Sequence, residues 1–200
     1  MFVKQRRTDM ATWPPYVVSP FSNIPPEHNE SDYHGPYNKL LTYLFPLEFF
    51  TVYPQYQPPI PGERRTRQSA DFIVQLEVRR KNVPVLVVEL KVPGNLQLSN
   101  AREKANQQIR KRMNDVSGWS WSNLNCLFEA LTRPFNAAQC LLPNLWGISA
   151  MGTKLRFYWK PSGGLINANE GWDYDVFEAE GEAWLLGIAD EIRKHCAALP

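Results

Sequence analysis

Two apolar runs joined by a short basic segment constrain the fold of this chain more than any other feature. Residues 70–78 alternate apolar and polar side chains, residues 83–92 are mostly aliphatic, and Arg79-Arg80-Lys81-Asn82 is the only polar break between them. This pattern predicts two antiparallel strands connected by a tight turn. With the turn near residue 80, residues opposed on the two strands should have numbers that sum to about 160–162.

Hydrophobic periodicity elsewhere predicts helices and further strands around this hairpin. Apolar residues recur at helical spacing over residues 37–45, 99–116 and 185–199. Strands are predicted at residues 49–53, and at 145–150 and 155–159 as a second hairpin. The resulting order α, β, β, β, α, β, β, α predicts an α/β fold with a mixed sheet flanked by helices.

Proline is concentrated at the start of the chain. Eleven of the 17 prolines precede residue 62, and prolines at this density oppose regular helix and strand interiors. We therefore predict a proline-rich arm at residues 1–30, extended over the domain or partly disordered. Residues 31–200 then form a single domain of ordinary size.

Charge is also divided along the chain. Residues 63–112 carry twelve Lys/Arg against five Asp/Glu, a local +7, whereas residues 165–200 carry eight acids against two bases, a local −6. The first region suits an anionic partner, although a solvated surface would show the same composition.

Several classes of protein are disfavoured by what the sequence lacks. The three cysteines form no Cys-x-x-Cys pair, so no zinc ribbon or disulfide framework is predicted. No Gly-rich phosphate loop or Gly-x-Ser-x-Gly motif is found. No apolar run approaches the ~20 residues of a membrane helix, and residues 1–10 are too polar for a secretory signal. An intracellular protein, nuclear or cytoplasmic, is expected.

The first hairpin carries the strongest candidate site. Asp71 and Glu89 have numbers that sum to 160, so their carboxylates should face each other, with Lys91 on the same face. Opposed like charges need a positive group between them, either a cation or Lys91. Carboxylate and carbonyl oxygens are ligands typical of Mg²⁺ or Mn²⁺. The alternative is a surface ion pair between Glu89 and Lys91, with Asp71 marking only the start of a strand.

The helix predicted at residues 99–116 adds two polar candidates. Gln108 and Arg112 fall on or beside its apolar stripe, where polar groups need partners. Both could face a bound phosphate. The alternative for each is a contact with the edge of the sheet.

Taken together, these residues resemble a known superfamily. Asp71, then Glu89-Leu90-Lys91 on the adjacent strand, then a helix carrying Gln108, are similar to the core of the PD-(D/E)XK nucleases, with a glutamine placed as in their RecB-like branch. Ala70 stands where the motif's name has proline. Residues 30–38 and 145–153 also resemble uncharacterised fungal proteins that carry the same Glu-Leu-Lys strand.

The resemblance implies a restriction-endonuclease-like αβββαβ core and metal-dependent hydrolysis of phosphodiester bonds. It implies Asp71, Glu89 and the Leu90 carbonyl as ligands of Mg²⁺ or Mn²⁺, Lys91 as the residue that activates or positions water, and Gln108 in support. Many members place an acid near the first helix, and here Glu30, before the helix, is preferred to Glu48 after it.

The sequence therefore predicts a nuclease that binds and cleaves nucleic acid, with DNA favoured over RNA. The alternative is a non-catalytic member of the same fold that binds nucleic acid or a protein. In either case the basic region supplies the predicted phosphate contacts, which are Arg64, Arg65, Arg67, Lys104 and Arg112.

Overall fold

The structure is a computed structural model that describes residues 9–25, 29–54, 72–78, 81–117 and 143–197. Within these residues, seven strands form one sheet and four α-helices pack against it. The strands are β1 (Phe50–Pro54), β2 (Phe72–Val78), β3 (Lys81–Lys91), β4 (Asn144–Met151), β5 (Lys154–Pro161), β6 (Asn167–Ala168) and β7 (Tyr174–Asp175). The helices are α1 (Pro15–Ser22), α2 (His34–Leu44), α3 (Ser99–Ser117) and α4 (Ala179–Ala197), and 3₁₀ turns at Glu30–Tyr33 and Pro93–Gln97 precede α2 and α3.

The sheet is mixed, as the order of elements predicts. Strands β1, β2 and β3 pair antiparallel, β3 pairs parallel with β4, and β4 pairs antiparallel with β5. A parallel pair needs a crossover connection, and α3 lies in the connection between β3 and β4. The predicted α/β class with helices flanking a mixed sheet is confirmed. None of the helices in the described part of the chain has the length and apolar content that a membrane span requires.

The register of the first hairpin matches the prediction at the end near Glu89. Phe72 pairs with Val88, a sum of 160, and the pairing shifts by one only beyond Val74, on the side of the turn. Asp71, predicted opposite Glu89, lies outside the described residues.

Different helices cover the two faces of the sheet, because β3 carries apolar side chains on both of them. Val88 and Leu90 lie in the larger core with α1, α2 and α4. Val87, on the other face, packs against Ile109 and other apolar residues of α3. The sheet is therefore covered on both faces around the strand that carries the candidate site, a layer arrangement typical of α/β proteins.

The N-terminal arm differs from its prediction. Residues 15–22 form helix α1, so the extended conformation predicted there is wrong. Proline is tolerated in the first helical turn, which accommodates Pro15. Val17 and Phe21, one helical turn apart, are buried in the larger core. The burial of this apolar pair therefore stabilises a short helix that proline content argued against.

Candidate active site

The C-terminal end of β3 brings a buried acid and a half-buried base together. Glu89 is 1% exposed, and the side chain of Lys91, two residues on and therefore on the same face, is 15% exposed. A carboxylate so deeply buried needs a positive partner, because an isolated charge in an apolar interior is strongly unfavourable.

The Lys91 ammonium supplies that charge and connects three groups. Lys91 Nζ donates to Glu89 Oε1 at 3.1 Å, to Glu30 Oε2 at 3.1 Å and to the Leu90 carbonyl oxygen at 2.8 Å. The side chain of Glu30 is 41% exposed, so the site has a buried acid on one side and a solvent-facing acid on the other.

Glu30 reaches the site because of the 3₁₀ turn that precedes α2. The turn begins with a capping box in which Asn29 N donates to Asp32 Oδ2 at 2.7 Å, and it buries Tyr33. Glu30, preferred to Glu48 from the sequence, contacts Lys91, whereas Glu48 is exposed in the segment between α2 and β1.

The turn between β4 and β5 fixes the end of β3 from the other side. Gly152 N donates to the Lys91 carbonyl oxygen at 2.9 Å, and Tyr37 of α2 donates its hydroxyl to the Gly152 carbonyl at 2.7 Å. Gly152 has a φ of 64°, which favours glycine, and a Cβ there would lie 2.8 Å from Pro93 Cβ. Burial raises the pKa of Tyr37 well above its ordinary value, which keeps its hydroxyl a donor.

Helix α3 presents the other predicted residues differently. Gln108 is half-buried and Lys104 is exposed. Arg112 is only 5% exposed, so it is not on the accessible basic surface where phosphate contacts were predicted. Its Nε has no hydrogen-bond partner in the part of the chain that the structure describes. Arg64, Arg65 and Arg67 lie outside the described residues.

A polar row that was not predicted from the sequence crosses the sheet from Glu89. Ser149 on β4 pairs with Glu89, and Arg156 on β5 pairs with Ser149. Ser149 is fully buried, and its hydroxyl has no partner among the described residues. The β4–β5 hairpin register, which places Ser149 opposite Arg156, could be predicted from the sequence. The row also depends on the parallel pairing of β3 with β4, and the sequence carries no signal for that register.

The oxygen atoms around Lys91 fit a hard divalent cation. Glu89, Glu30 and the Leu90 carbonyl are oxygen donors of the type that Mg²⁺ and Mn²⁺ take, and they already surround one positive group. The described residues hold no cluster of three or more His, Cys, Asp or Glu side chains suited to a metal ion, and the third predicted acid, Asp71, is not among them.

Comparison with family models, with curated proteins and with solved structures gives no match to this chain. Any functional conclusion is therefore drawn from the fold and from the site.

Proposed function

We propose that this protein is a metal-dependent nuclease with a restriction-endonuclease-like core, which uses Mg²⁺ or Mn²⁺ to hydrolyse phosphodiester bonds in nucleic acid, with DNA favoured. The observation that carries the proposal is the convergence of Glu30, Glu89 and Lys91 at the end of β3. These residues come from two segments of the chain 61 positions apart, so local sequence does not account for their meeting.

The topology supports the same proposal. Helix α2 is followed by the antiparallel strands β1, β2 and β3, then by α3, and then by β4 parallel to β3. This is the αβββαβ order that the resemblance implies. Glu89 and Lys91 lie on β3, the third strand of this order, and Glu30 lies in the 3₁₀ turn that precedes its first helix.

The chemistry follows from the properties of the three side chains. Glu89 and the Leu90 carbonyl would hold the cation, together with Asp71 if it faces Glu89 as predicted. The cation, when bound, would supply stabilisation of negative charge on the phosphate. Lys91 would donate a hydrogen bond to the attacking water or to the phosphate, stabilising charge that develops in the transition state. Glu30 faces solvent, where it could orient water, and Gln108 would support the site from α3.

One observation favours the non-catalytic alternative. Lys91 Nζ contacts both carboxylates, and a structural ion-pair network in a protein that only binds nucleic acid or another protein would show the same contacts. Binding and cleavage must therefore be measured separately.

The experiment compares wild type with Lys91→Ala and Glu89→Gln. Wild type should nick supercoiled plasmid or degrade single strands with Mn²⁺ or Mg²⁺ and not with EDTA. Lys91→Ala should bind nucleic acid nearly normally but cleave ~10²-fold more slowly, because a transition-state donor is lost. Lys39→Ala on α2 is a control that also removes one lysine. Binding that falls steeply with salt, with no cleavage under any divalent metal, would make the non-catalytic alternative correct.

A further inference from the structure

A cleft of about 550 Å³ opens at the turn that follows Lys91, and one of its lining residues, Arg156, lies two strands across the sheet from Glu89. Its walls come from the 3₁₀ turn that follows Lys91, from the first turn of α3, from Arg156 on β5, and from residues 170–173. The polar row connects it to the site, because Glu89, Ser149 and Arg156 are paired across three adjacent strands. Neighbouring strands lie ~4.8 Å apart, so the backbones of Glu89 and Arg156 are ~10 Å apart.

The charge of the cleft argues against a phosphate. Its lining includes three carboxylates and two guanidinium groups, from Glu103, Glu170, Asp173, Arg102 and Arg156. A phosphate would be repelled by the acids. A neutral ligand with its own hydrogen-bond donors and acceptors suits this mixture, since carboxylates accept from amino and ring N–H groups and arginine donates to carbonyl and ring nitrogen acceptors.

Arg156 and Trp172 form a cationic and aromatic wall of the cleft, and Arg156 also contacts Tyr158, which is fully buried and lies outside the lining. The Arg156 guanidinium lies 5.0 Å from the centre of the Trp172 ring and 5.3 Å from that of Tyr158, and Arg156 Nε donates to the Asn169 carbonyl at 3.0 Å. Trp172 is 7% exposed. Arg156 is half-buried, so its guanidinium plane, backed by the Trp172 ring, is the group of this wall on which an unpaired base would stack.

Two buried polar atoms lie near the cleft, one in its lining and one in the polar row. The Trp172 indole N–H and the Ser149 hydroxyl make no hydrogen bond with the described residues. Buried polar groups in folded proteins are nearly always satisfied. The Trp172 N–H belongs to the cleft lining, so a ligand in the cleft would supply the acceptor that this donor lacks among the described residues.

We infer that the cleft binds one unpaired nucleobase, next to a phosphodiester held at Glu89, and that the substrate is therefore single-stranded nucleic acid or a strand with an unpaired end. The inference rests on the proposed function, which places the phosphodiester. The pairing edge of a base in a duplex is occupied by its partner base, so a base that presents this edge to the carboxylates must be unpaired.

The test asks whether neutralising an acidic residue of the cleft raises or lowers the affinity for nucleic acid. Neutralising an acid should tighten the binding of a polyanion if only electrostatics matters, but should weaken it if the acid accepts a hydrogen bond from a base. Asp173→Asn and Glu170→Gln are therefore compared with wild type by fluorescence anisotropy, with a 12-nucleotide single strand and the matching duplex, in EDTA so that no cleavage occurs. Glu48→Gln removes the same charge outside the cleft and serves as the matched control.

We expect Asp173→Asn or Glu170→Gln to lose about tenfold in single-strand affinity, as for a hydrogen bond to a charged group. Duplex affinity should not fall, and Glu48→Gln should bind both ligands as tightly as wild type or slightly tighter. If both cleft variants bind the single strand as tightly as wild type or tighter, the inference is overturned. Plasmid nicking with Mn²⁺ is measured on the same preparations. If wild type nicks plasmid and the cleft variants lose no affinity, the proposal that the cleft binds a base is overturned and the proposed nuclease activity stands. If the cleft variants lose affinity but wild type does not nick plasmid, base binding is supported and the nuclease activity is overturned.

Discussion

Replacing Lys91 with methionine should make the protein bind Mn²⁺ more tightly while making it less stable without metal. Methionine keeps the apolar stem of the lysine and removes the ammonium. In wild type that ammonium occupies one oxygen of Glu89, one of Glu30 and the Leu90 carbonyl. A metal cation that uses the same oxygens has to displace the Lys91 ammonium. Removing the ammonium therefore removes a competitor of the metal.

The magnitude follows from the burial of each partner. Glu30 is 41% exposed, so its pair with Lys91 is screened by solvent and contributes little. Glu89 has a side chain only 2% exposed, and a hydrogen bond to a buried charged group contributes about 1.5–3 kcal/mol. Removing the competitor should therefore lower the Kd for Mn²⁺ by about 10- to 100-fold. Removing the ammonium that donates to the buried Glu89 carboxylate should reduce the free energy of unfolding by about 3–5 kcal/mol.

The assay combines calorimetric titration with Mn²⁺ and thermal unfolding with and without metal. Lys91→Met should melt lower than wild type in EDTA and should gain more from Mn²⁺, because a ligand that binds only the folded state stabilises it. Lys154→Met is the matched control, since Lys154 Nζ also lies between two carboxylates, 3.3 Å from Asp175 and 3.4 Å from Glu178, but its side chain is 36% exposed. That variant should change much less.

Two outcomes would refute this reasoning. Equal gains in melting temperature from Mn²⁺ in wild type and Lys91→Met would show that the ammonium and the cation do not compete for the Glu89 carboxylate. A metal response that persists after Glu89→Gln is added to Lys91→Met would show that the cation binds elsewhere.

Three further predictions concern the scaffold. In α4, Gly181→Ala should cost several kcal/mol, because the new Cβ would collide with the backbone of β7, whereas Gly187→Ala, with open space around it, should gain about 1 kcal/mol, both by denaturant unfolding. Burial raises the pKa of Cys196 to about 12 from 9.0. With the other two cysteines changed to serine, this thiol should therefore not react with a maleimide at pH 8 until the protein unfolds. The contribution of Cys196 to stability should be lost as pH rises above 9.0. Tyr37→Phe should lower stability by about 1 kcal/mol in thermal unfolding through loss of its bond to the β4–β5 turn, with the more exposed Tyr43→Phe as control.

The elements that could be predicted are those whose periodicity is long and undisturbed. The αβββαββα order emerged because the spacing of apolar residues changes clearly between helical and strand periods. Helix α1 could not be predicted in the same way, since its eight residues include Pro15 and Pro20. Its stability comes from burying Val17 and Phe21 in a core built by distant segments, which local propensity does not encode. Strands β6 and β7, two residues each, are too short to leave a pattern.

In the candidate site, too, the features set by local sequence could be predicted and those set by long-range packing could not. Glu89 and Lys91 could be placed on one face because alternation within a strand is local. The pairing of Ser149 with Glu89 could not, because parallel register depends on how α3 returns the chain to the sheet. The position of Arg112 on its helix could be predicted, but its exposure could not. Helical spacing placed Arg112 on or beside the apolar stripe, whereas packing decides whether such a residue reaches solvent, and here it is buried.

The burial of Glu89 also determines how every variant at this site must be interpreted. A buried carboxylate requires a cation nearby, and the contacts of Lys91 show which group now meets that need. Removing either member therefore changes stability as well as chemistry, so a loss of cleavage in Lys91→Ala alone cannot separate a catalytic lysine from a structural one. The separation comes from the metal: if Mn²⁺ restores the stability of the lysine variant to that of wild type while cleavage stays low, the cation has replaced the ammonium as the partner of Glu89, and the lost activity belongs to the lysine's action on water or phosphate.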